Sequence, residues 1–409
     1  MNLRNLQPRR LQLEWQRFST KWSKKLRGLD RQVLTLPPEG NELRGSVLVS
    51  YVLDGVRQAL AGEIEHSHTH FWEAHRIAQT FADLGFEVDV VHWQNQNFVP
   101  TKPYRAVVDV RSNLERWAAS LPDDCVKIFH GETAHWSFHR DAQAERYDAL
   151  EARRGVRLLP VKPAEANRGI ESADVGFILG NDFTLGTFEP AGTPLHRLWI
   201  SSNTAYPDLE RKADAARRFL WFGSGDLVHK GLDLVLEAIA ARPDLELVVC
   251  GPIHREPHFE RAYARELHEL PNVETYGWID TESQDFLHVA QRCSALIYPS
   301  CSEGQCGGVV TCMHAGLVPI LTSQCGLDVS PDFGSLLPDP LMHGGDPVAR
   351  VGAALEAHAA RPWDETVAMS GAATEIARTA HTRERFAARY RELVVQALDL
   401  PPELAESPQ

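Results

Sequence analysis

The 409-residue sequence has no apolar run long enough to cross a bilayer, and its start does not resemble a signal peptide. The Gly-x-Gly-x-x-Gly fingerprint of dinucleotide-binding enzymes does not follow the first predicted strand, and the Gly-x-Ser-x-Gly elbow of esterases is missing. These absences argue against a membrane-spanning protein, an NAD-dependent enzyme and a serine esterase. We expect a cytoplasmic protein.

The seven cysteines form no Cys-x-x-Cys pair, so reduced and mostly buried thiols are the simplest interpretation. One segment is rich in side chains that could bind zinc or iron: Glu63, Glu65, His66, His68, His70, Glu73 and His75. A metal hydrolase is therefore an alternative. The His-Glu-x-x-His order is absent, however, and we expect neither a metal nor a cofactor.

The chain has no excess of positive charge: 42 Lys/Arg stand against 55 Asp/Glu, which gives a formal net charge of -13. This net charge argues against nucleic acid as the main partner. Residues 1–32 are an exception, with nine Lys/Arg against two acidic residues. Their apolar residues fall on one face of a predicted helix: Leu11, Trp15, Phe18, Trp22 and Leu26. This basic leader fits an anionic membrane surface, which would make the protein peripheral on the inner face of the membrane. It fits the acidic body of the protein equally well.

Strands and helices alternate along most of the chain, which predicts an α/β fold with parallel sheets covered on both faces. We predict a loop over residues 54–69 and a first series of strands at Ser46–Val52, Phe86–Trp93, Ala106–Val110, Val126–His130, Val156–Leu159, Val175–Leu179 and Leu198–Ile200. A polar stretch, residues 201–217, predicts a hinge. A second series begins at Phe219, so the length and the pattern together indicate two domains.

Residues 295–320 carry the clearest chemical signal. A short buried strand ends at Tyr298, a loop carries Glu303, and a helix begins at Gly307 and Gly308. Uncovered N–H groups and the positive end of the dipole make such a helix start attractive to phosphate. A carboxylate beside a phosphate site makes sense when a polyhydroxylated group lies between the two. The pairing of Glu303 with this helix suggests a nucleotide-sugar.

The Ser302-Glu303-Gly304 loop and the following helix, with its Met-x-x-Gly-x-x-Pro exit, resemble the donor-site signature of retaining family-4 glycosyltransferases of the GT-B fold. The block from Phe219 to Ala238 resembles the first strand, loop and helix of that family's donor domain, and Tyr276–Ile279 resembles its turn against the nucleobase. The resemblance covers roughly residues 218–320 and is looser elsewhere.

The resemblance implies two Rossmann-like doubly wound domains facing a cleft. The expected division is a basic leader (1–40), an acceptor-side domain (41–205), a donor domain (206–380) and a C-terminal helix that returns to the first domain (381–409). A sugar would pass from the donor to a glycan, lipid-linked or other acceptor with retention of configuration, without metal. The departing diphosphate would take the acceptor proton.

The resemblance also assigns residues. Glu303, Lys230 and His130 are the predicted catalytic group: Glu303 orients the sugar, Lys230 binds the diphosphate and His130 contacts the sugar. The predicted donor site contains Gly223, Gly225, Lys230, Trp278, Ile279, Glu303, Gly304, Gly307, Gly308, Val309 and Thr311. His70 and Glu73 are placed on the acceptor side.

Two positions depart from the family pattern. Thr311 stands where the family usually has a second glutamate for the ribose, and Gly225 stands where it tends to have an arginine. A neutral hydroxyl and a single ammonium specify a donor less rigidly than a carboxylate and a guanidinium do. The alternative function is therefore a degenerate GT-B module that binds a nucleotide or glycan without turnover.

Overall fold

The computed structural model describes residues 32–40, 42–63, 68–202, 204–337 and 345–406. The basic leader helix predicted from Leu11 to Leu26 lies outside these residues, as do Glu65 and His66 of the predicted ligand-rich segment. Within the described part of the chain, no helix is both long enough and apolar enough to span a bilayer.

The described strands form two sheets. The first has the order β1-β3-β2-β4-β5-β6-β7 and is built from β1 (Val33–Leu36), β2 (Ser46–Tyr51), β3 (Glu87–His92), β4 (Tyr104–Asp109), β5 (Val126–Gly131), β6 (Val175–Leu179) and β7 (Leu195–Leu198). The second has the order β10-β9-β8-β11-β12-β13 and is built from β8 (Arg218–Phe222), β9 (Glu246–Cys250), β10 (Val273–Gly277), β11 (Ala295–Tyr298), β12 (Val318–Thr322) and β13 (Ser335–Leu337). All these pairings are parallel except β1 with β3.

Helices connect the strands of both sheets. Those of the N-terminal half are α1 (Leu53–Leu60), α2 (Thr69–Asp83), α3 (Asn113–Trp117), α4 (Trp136–Arg154) and α5 (Asp182–Gly186). The remainder are α6 (Leu232–Ala240), α7 (Pro257–Ala262), α8 (Ala264–His268), α9 (Gln284–Arg292), α10 (Gly307–His314), α11 (Pro347–Ala359), α12 (Trp363–Ala380) and α13 (Arg383–Ala397). Two parallel sheets with helical connections confirm the predicted α/β class with two doubly wound domains.

The core follows from the composition of the central strands. Val47 and Val49 of β2 are fully buried, and so are Ala295, Leu296 and Ile297 of β11. Strands covered on both faces need apolar side chains at successive positions rather than alternate ones. One hydrophobic cluster runs through both sheets, so the two domains share a continuous core.

The C-terminal helix α13 packs on the N-terminal domain, as the resemblance implied. The Phe386 ring lies 5.9 Å from that of Trp72 in α2, and the Tyr390 ring lies 5.5 Å from that of Phe177 in β6. Both α13 residues are fully buried. The apolar face read from the sequence is therefore the contact surface of this helix.

Two local predictions were wrong, and one strand was missed. The segment predicted as strand Val156–Leu159 has no strand structure, because α4 runs on to Arg154 and the chain after Gly155 lies on the surface, with Leu159 75% exposed. The predicted loop 54–69 contains helix α1. Strand β1 was not predicted, and its antiparallel pairing with β3 supplies a tertiary contact that local sequence does not reveal.

Phe386→Ala tests the docking of α13. Removing a fully buried aromatic side chain should lower the free energy of unfolding by about 3–5 kcal/mol, measured by chemical denaturation. Val367→Ala in α12, where the side chain is 49% exposed, is the matched control and should change stability by less than about 0.5 kcal/mol. Equal effects of the two changes would show that α13 is not anchored on the first domain.

Candidate donor site between the two sheets

The carboxyl ends of the strands of both sheets meet at one junction. The Ala134 N–H, after β5, donates to the Glu303 carbonyl oxygen at 3.1 Å. The Asn181 side chain, after β6, donates to the carbonyl oxygens of Ser323 and Leu327, both at 3.2 Å. Since open α/β sheets bind ligands at the carboxyl ends of their strands, this junction is the expected place for a site.

Lys230 and Glu303 lie together at this junction. The Lys230 ammonium contacts Glu303 Oε1 at 2.8 Å, and the two side chains are 14% and 17% exposed. The Ser300 hydroxyl donates to the same oxygen at 2.9 Å. Burial opposes ionisation of Glu303, but the adjacent Lys230 ammonium outweighs it and lowers the pKa of the carboxyl to about 2. Glu303 is therefore a carboxylate at neutral pH.

Helix α10 begins beside this pair, with Gly307 and Gly308 as its first residues. Its N-cap, Cys306, provides no side-chain cap. A β-carbon on Gly307 would lie 3.4 Å from Ile200 and 3.9 Å from the Thr69 hydroxyl of the N-terminal domain. The uncapped start of α10 thus faces the start of α2 across the junction.

Two other residues predicted at this helix are engaged within it. The Val309 N–H donates to the Cys306 carbonyl oxygen at 3.1 Å, and the Val309 side chain is buried. The Thr311 hydroxyl donates to the Gly307 carbonyl oxygen at 2.9 Å. Thr311 would have to exchange this bond to reach a ribose hydroxyl.

Gly304 is required by packing. A β-carbon there would lie 2.2 Å from the Glu132 carbonyl oxygen and 2.9 Å from that of Leu179. Gly326 packs against it with φ of +72°, and a β-carbon on Gly326 would lie 1.3 Å from the Gly304 carbonyl oxygen. The loop that presents Glu303 is therefore pressed between the first domain and the loop after β12.

The loop after β8 carries Gly223, Gly225 and Lys230. A β-carbon on Gly223 would lie 2.5 Å from the Trp221 ring, and Gly225 has φ of +125°. Sequence analysis did not identify Glu256, whose carboxylate accepts hydrogen bonds from the N–H groups of Asp226 and Leu227. An acidic group thus lies beside Gly225, where the family tends to place an arginine.

Asp226 ties this loop to the first domain. Its carboxylate accepts hydrogen bonds from the Tyr147 hydroxyl at 2.8 Å and from the Gln143 amide at 3.3 Å, and both partners lie on α4. The Asp226 carbonyl oxygen accepts the Lys230 N–H at 3.0 Å. The backbone that presents Lys230 is therefore held from both domains.

Trp278 and Ile279 follow β10, alongside the Gly223 loop. The Gly251 N–H donates to the Gly277 carbonyl oxygen at 2.9 Å, and a β-carbon on Gly251 would lie 2.8 Å from the Gly223 carbonyl oxygen. Ile279 is 6% exposed and Trp278 is half-buried. The predicted nucleobase turn is thus linked to the donor loop through Gly251, which contacts both.

His130 is the last residue but one of β5, inside the first domain, and is fully buried. Its ring lies 5.6 Å from that of Tyr51 and 6.0 Å from that of Tyr390, and neither ring nitrogen has a hydrogen-bond partner among the described residues. Burial lowers the pKa of His130 to about 4, so the imidazole is neutral at pH 7.

Glu132 is a site residue that sequence reasoning missed. Its carboxylate accepts a hydrogen bond from the Tyr51 hydroxyl, lies 3.1 Å from His70 Nδ1 and pairs with Arg111 at 3.3 Å. It lies two residues beyond His130, in a sequence that marks the carboxyl end of β5. This position could have identified Glu132 from the sequence, since the end of β5 places the carboxylate at the junction.

His70 and Glu73, both assigned to the acceptor side, have different surroundings. His70 contacts Glu132, whereas the fully buried Glu73 accepts hydrogen bonds from the Ser201 N–H at 3.0 Å and the Ser201 hydroxyl at 2.9 Å. Burial raises the pKa of Glu73 to about 7. Glu73 therefore anchors α2 to the start of the predicted hinge.

The His/Glu-rich segment does not form a metal site in the described part of the chain. No group of three or more His, Cys, Asp or Glu side chains with suitable geometry is found among those residues. The His68 and His70 rings lie 4.0 Å apart, and His70 is engaged with Glu132.

Comparison with known proteins identifies the class. Residues 216–340, less than half of the chain, match the family model described as glycosyl transferases group 1. The fold is similar to that of sucrose-phosphate synthase from Thermosynechococcus elongatus, with a TM-score of 0.59, 14% identity, and coverage of 87% of this chain and 99% of that one. It is also similar to Anabaena HepE in complex with UDP and glucose, with a TM-score of 0.51, 12% identity, and coverage of 88% and 100%. No curated protein matches the sequence.

The protein thus has the GT-B fold, with two Rossmann-like domains facing a junction. Its second domain carries the glycosyl transferases group 1 match, which is consistent with the family-4 assignment and supports glycosyl transfer from a nucleotide-sugar.

The stability of the protein should depend on pH through Glu73. Because its pKa rises on folding, the folded state retains a proton that the unfolded state loses, and stability should fall by about 3 kcal/mol between pH 4.5 and pH 7.5. Glu73→Gln should remove this loss while leaving stability near pH 4.5 little changed. Denaturation curves across this range measure it, and identical pH profiles for both proteins would contradict the assignment.

Proposed function

We propose that the protein transfers a sugar from a nucleotide-sugar to a glycan, lipid-linked or other acceptor, with retention of configuration and without a metal. The observation that carries this proposal is the Lys230–Glu303 pair beside the uncapped start of α10, in the domain that matches the family model. A cation and a helix start suit a diphosphate, and a carboxylate suits sugar hydroxyls.

Lys230 would hold the diphosphate. An ammonium has three N–H donors, so its bond to Glu303 leaves capacity for phosphate oxygens. As the bond between the sugar and the diphosphate breaks, negative charge grows on the departing oxygen. Lys230 and the N–H groups at the start of α10 would stabilise that charge where it develops.

Glu303 would orient the sugar. Its carboxylate is ionised and fixed by Ser300 and Lys230, so it can accept hydrogen bonds from ring hydroxyls in a set geometry. Gly304 keeps the loop against the first domain, which places Glu303 close to whatever acceptor that domain binds.

A module that binds without turnover is the second candidate. Glu256 rather than an arginine lies beside Gly225, and the Thr311 hydroxyl is committed to its own helix. Both features weaken the expected hold on the donor. Binding of a nucleotide without release of product would favour this candidate.

Variants of the ion pair separate the two roles. Lys230→Ala should weaken the binding of UDP about 10–100-fold in calorimetry, since a charge-assisted bond to phosphate is worth about 1.5–3 kcal/mol. Glu303→Gln should leave UDP affinity unchanged or tighter, because UDP has no transferable sugar, yet it should slow turnover of UDP-sugars. UDP is the first probe because the similar HepE was solved with UDP and glucose.

Lys102→Ala is the matched control, because Lys102 also forms a short ion pair, with Glu87 at 2.6 Å, but lies in the first domain, just before β4. It should bind UDP as the wild type does. A panel of UDP-, GDP- and ADP-sugars, assayed for nucleoside diphosphate release, extends the test. A Lys230→Ala protein with unchanged binding and turnover would refute the proposed donor site.

A further inference from the structure

His229, the residue before Lys230, joins the loop after β8 to the loop that presents Glu303. Its ring nitrogen Nε2 is hydrogen-bonded to the Ser302 carbonyl oxygen at 2.6 Å, and its own carbonyl oxygen accepts the Cys301 N–H at 3.0 Å. Ser302 directly precedes Glu303. Each loop is therefore tied to the other one residue away from the side chain that it presents.

The contacts of the His229 ring fix its tautomer. A carbonyl oxygen only accepts hydrogen bonds, so Nε2 carries the ring proton and donates it to Ser302. Nδ1 then keeps its lone pair and accepts from the Cys301 thiol, whose sulfur lies 3.3 Å away. Burial lowers the pKa of His229 to about 3 and raises that of Cys301 to about 12, so both are neutral at pH 7.

A second histidine reaches the same loop from the first domain. His139 Nδ1, in α4, lies 2.9 Å from the Ser302 hydroxyl oxygen, and the His139 ring lies 4.8 Å from that of His229. Further along α4, Arg146 donates to the Pro299 carbonyl oxygen at 3.0 Å. The segment from Pro299 to Ser302 is thus held at both ends by the first domain, and Ser302 is also held by His229.

His229 has no means of contacting a ligand itself. It is 3% exposed, both of its ring nitrogens are bonded within the protein, and the neutral ring offers no charge to a phosphate. The groups that a ligand can reach are the side chains of Lys230 and Glu303, which are 14% and 17% exposed. Any effect of His229 on a donor must therefore act through these two neighbours.

The two neighbours depend on His229 to different degrees. The backbone of Lys230 is held without the His229 ring, because its N–H donates to the Asp226 carbonyl oxygen at 3.0 Å and its carbonyl oxygen accepts Trp221 Nε1–H at 3.2 Å. The backbone before Glu303 receives the His229 ring directly, at the Ser302 carbonyl oxygen. Loss of the ring should displace Glu303 more than Lys230.

We propose that His229 is a positioning residue that sets Glu303 against the sugar of the donor. The proposal rests on the proposed function. A nucleoside diphosphate has phosphates but no transferable sugar, so it depends on Lys230 and the start of α10 rather than on Glu303. His229 therefore governs transfer of the sugar and leaves the affinity for the diphosphate nearly intact.

Two substitutions separate positioning from packing. In His229→Leu the apolar side chain is of similar size, but the donor to Ser302 is lost. In His229→Gln the amide nitrogen extends about as far as Nε2 and can donate to the same oxygen. The assays are nucleoside diphosphate release from the fastest member of the UDP-, GDP- and ADP-sugar panel, and calorimetry with the diphosphate of that donor.

We expect His229→Leu to lower turnover roughly 10–100-fold, with the affinity for the diphosphate within about threefold of the wild type. His229→Gln should recover most of the lost turnover. Should His229→Leu fail to fold, His229→Asn takes its place with the same expectation, because its amide is too short to reach Ser302.

His358→Leu is the matched control. His358 is also a buried histidine of the second domain, 2% exposed, but its Nε2 lies 3.1 Å from the hydroxyl oxygen of Ser294, at the opposite end of β11 from Glu303. Its substitution should lower the free energy of unfolding, measured by chemical denaturation, as that of His229 does. Turnover per folded molecule should stay at the wild-type level.

Each outcome decides between the proposals. Equal turnover by His229→Leu and His229→Gln, in a wild type that is active, overturns the positioning role and leaves the proposed function intact. A loss of diphosphate affinity in step with turnover would make His229 a support of the whole site and also overturn that role. A wild type that releases no nucleoside diphosphate from any panel member overturns the proposed transfer reaction, and the positioning role with it.

Discussion

The ion pair between Lys230 and Glu303 is the interaction on which the rest of the junction depends. Removing two charges from water is costly, and the cost is offset here by a 2.8 Å contact and by hydrogen bonds from Ser300 at 2.9 Å and Tyr298 at 3.4 Å. A phosphate can replace Glu303 as the partner of Lys230, and sugar hydroxyls can replace Lys230 as the partners of Glu303. In the proposed function, the arrangement would hold both groups ready for a nucleotide-sugar.

Contacts between the domains hold this pair in place. Gly304 packs on Glu132, and Asp226 is bound by Tyr147 and Gln143 of α4. Further along α4, Arg153 pairs with Asp233 at 2.6 Å. The loops that present Lys230 and Glu303 are therefore shaped by the first domain as well as the second. Opening the domains would remove these contacts from both loops.

Much of the fold could be predicted from the sequence, because parallel strands buried on both faces leave continuous apolar runs such as Ala295–Tyr298. The family resemblance placed Lys230 and Glu303 in one donor site, and the structure brings the two side chains to 2.8 Å. Glu132 and Glu256 were missed, since their partners lie far away in the chain, and only Glu132 had a local signal, its position after β5. Strand β1 was missed for the same reason. A strand was predicted at Val156–Leu159 from its apolar residues, but no strand is present there. An apolar segment forms a strand only where a neighbouring strand can pair with it.

The central claim is tested most directly by a structure of the protein bound to a nucleotide-sugar that it uses as a substrate, or to UDP and the released sugar. The account predicts phosphate oxygens within hydrogen-bond distance of Lys230 Nζ and of the N–H groups of Gly307 and Gly308, with the sugar on Glu303. A complex in which the Lys230–Glu303 contact is unchanged and the diphosphate is bound elsewhere would contradict it.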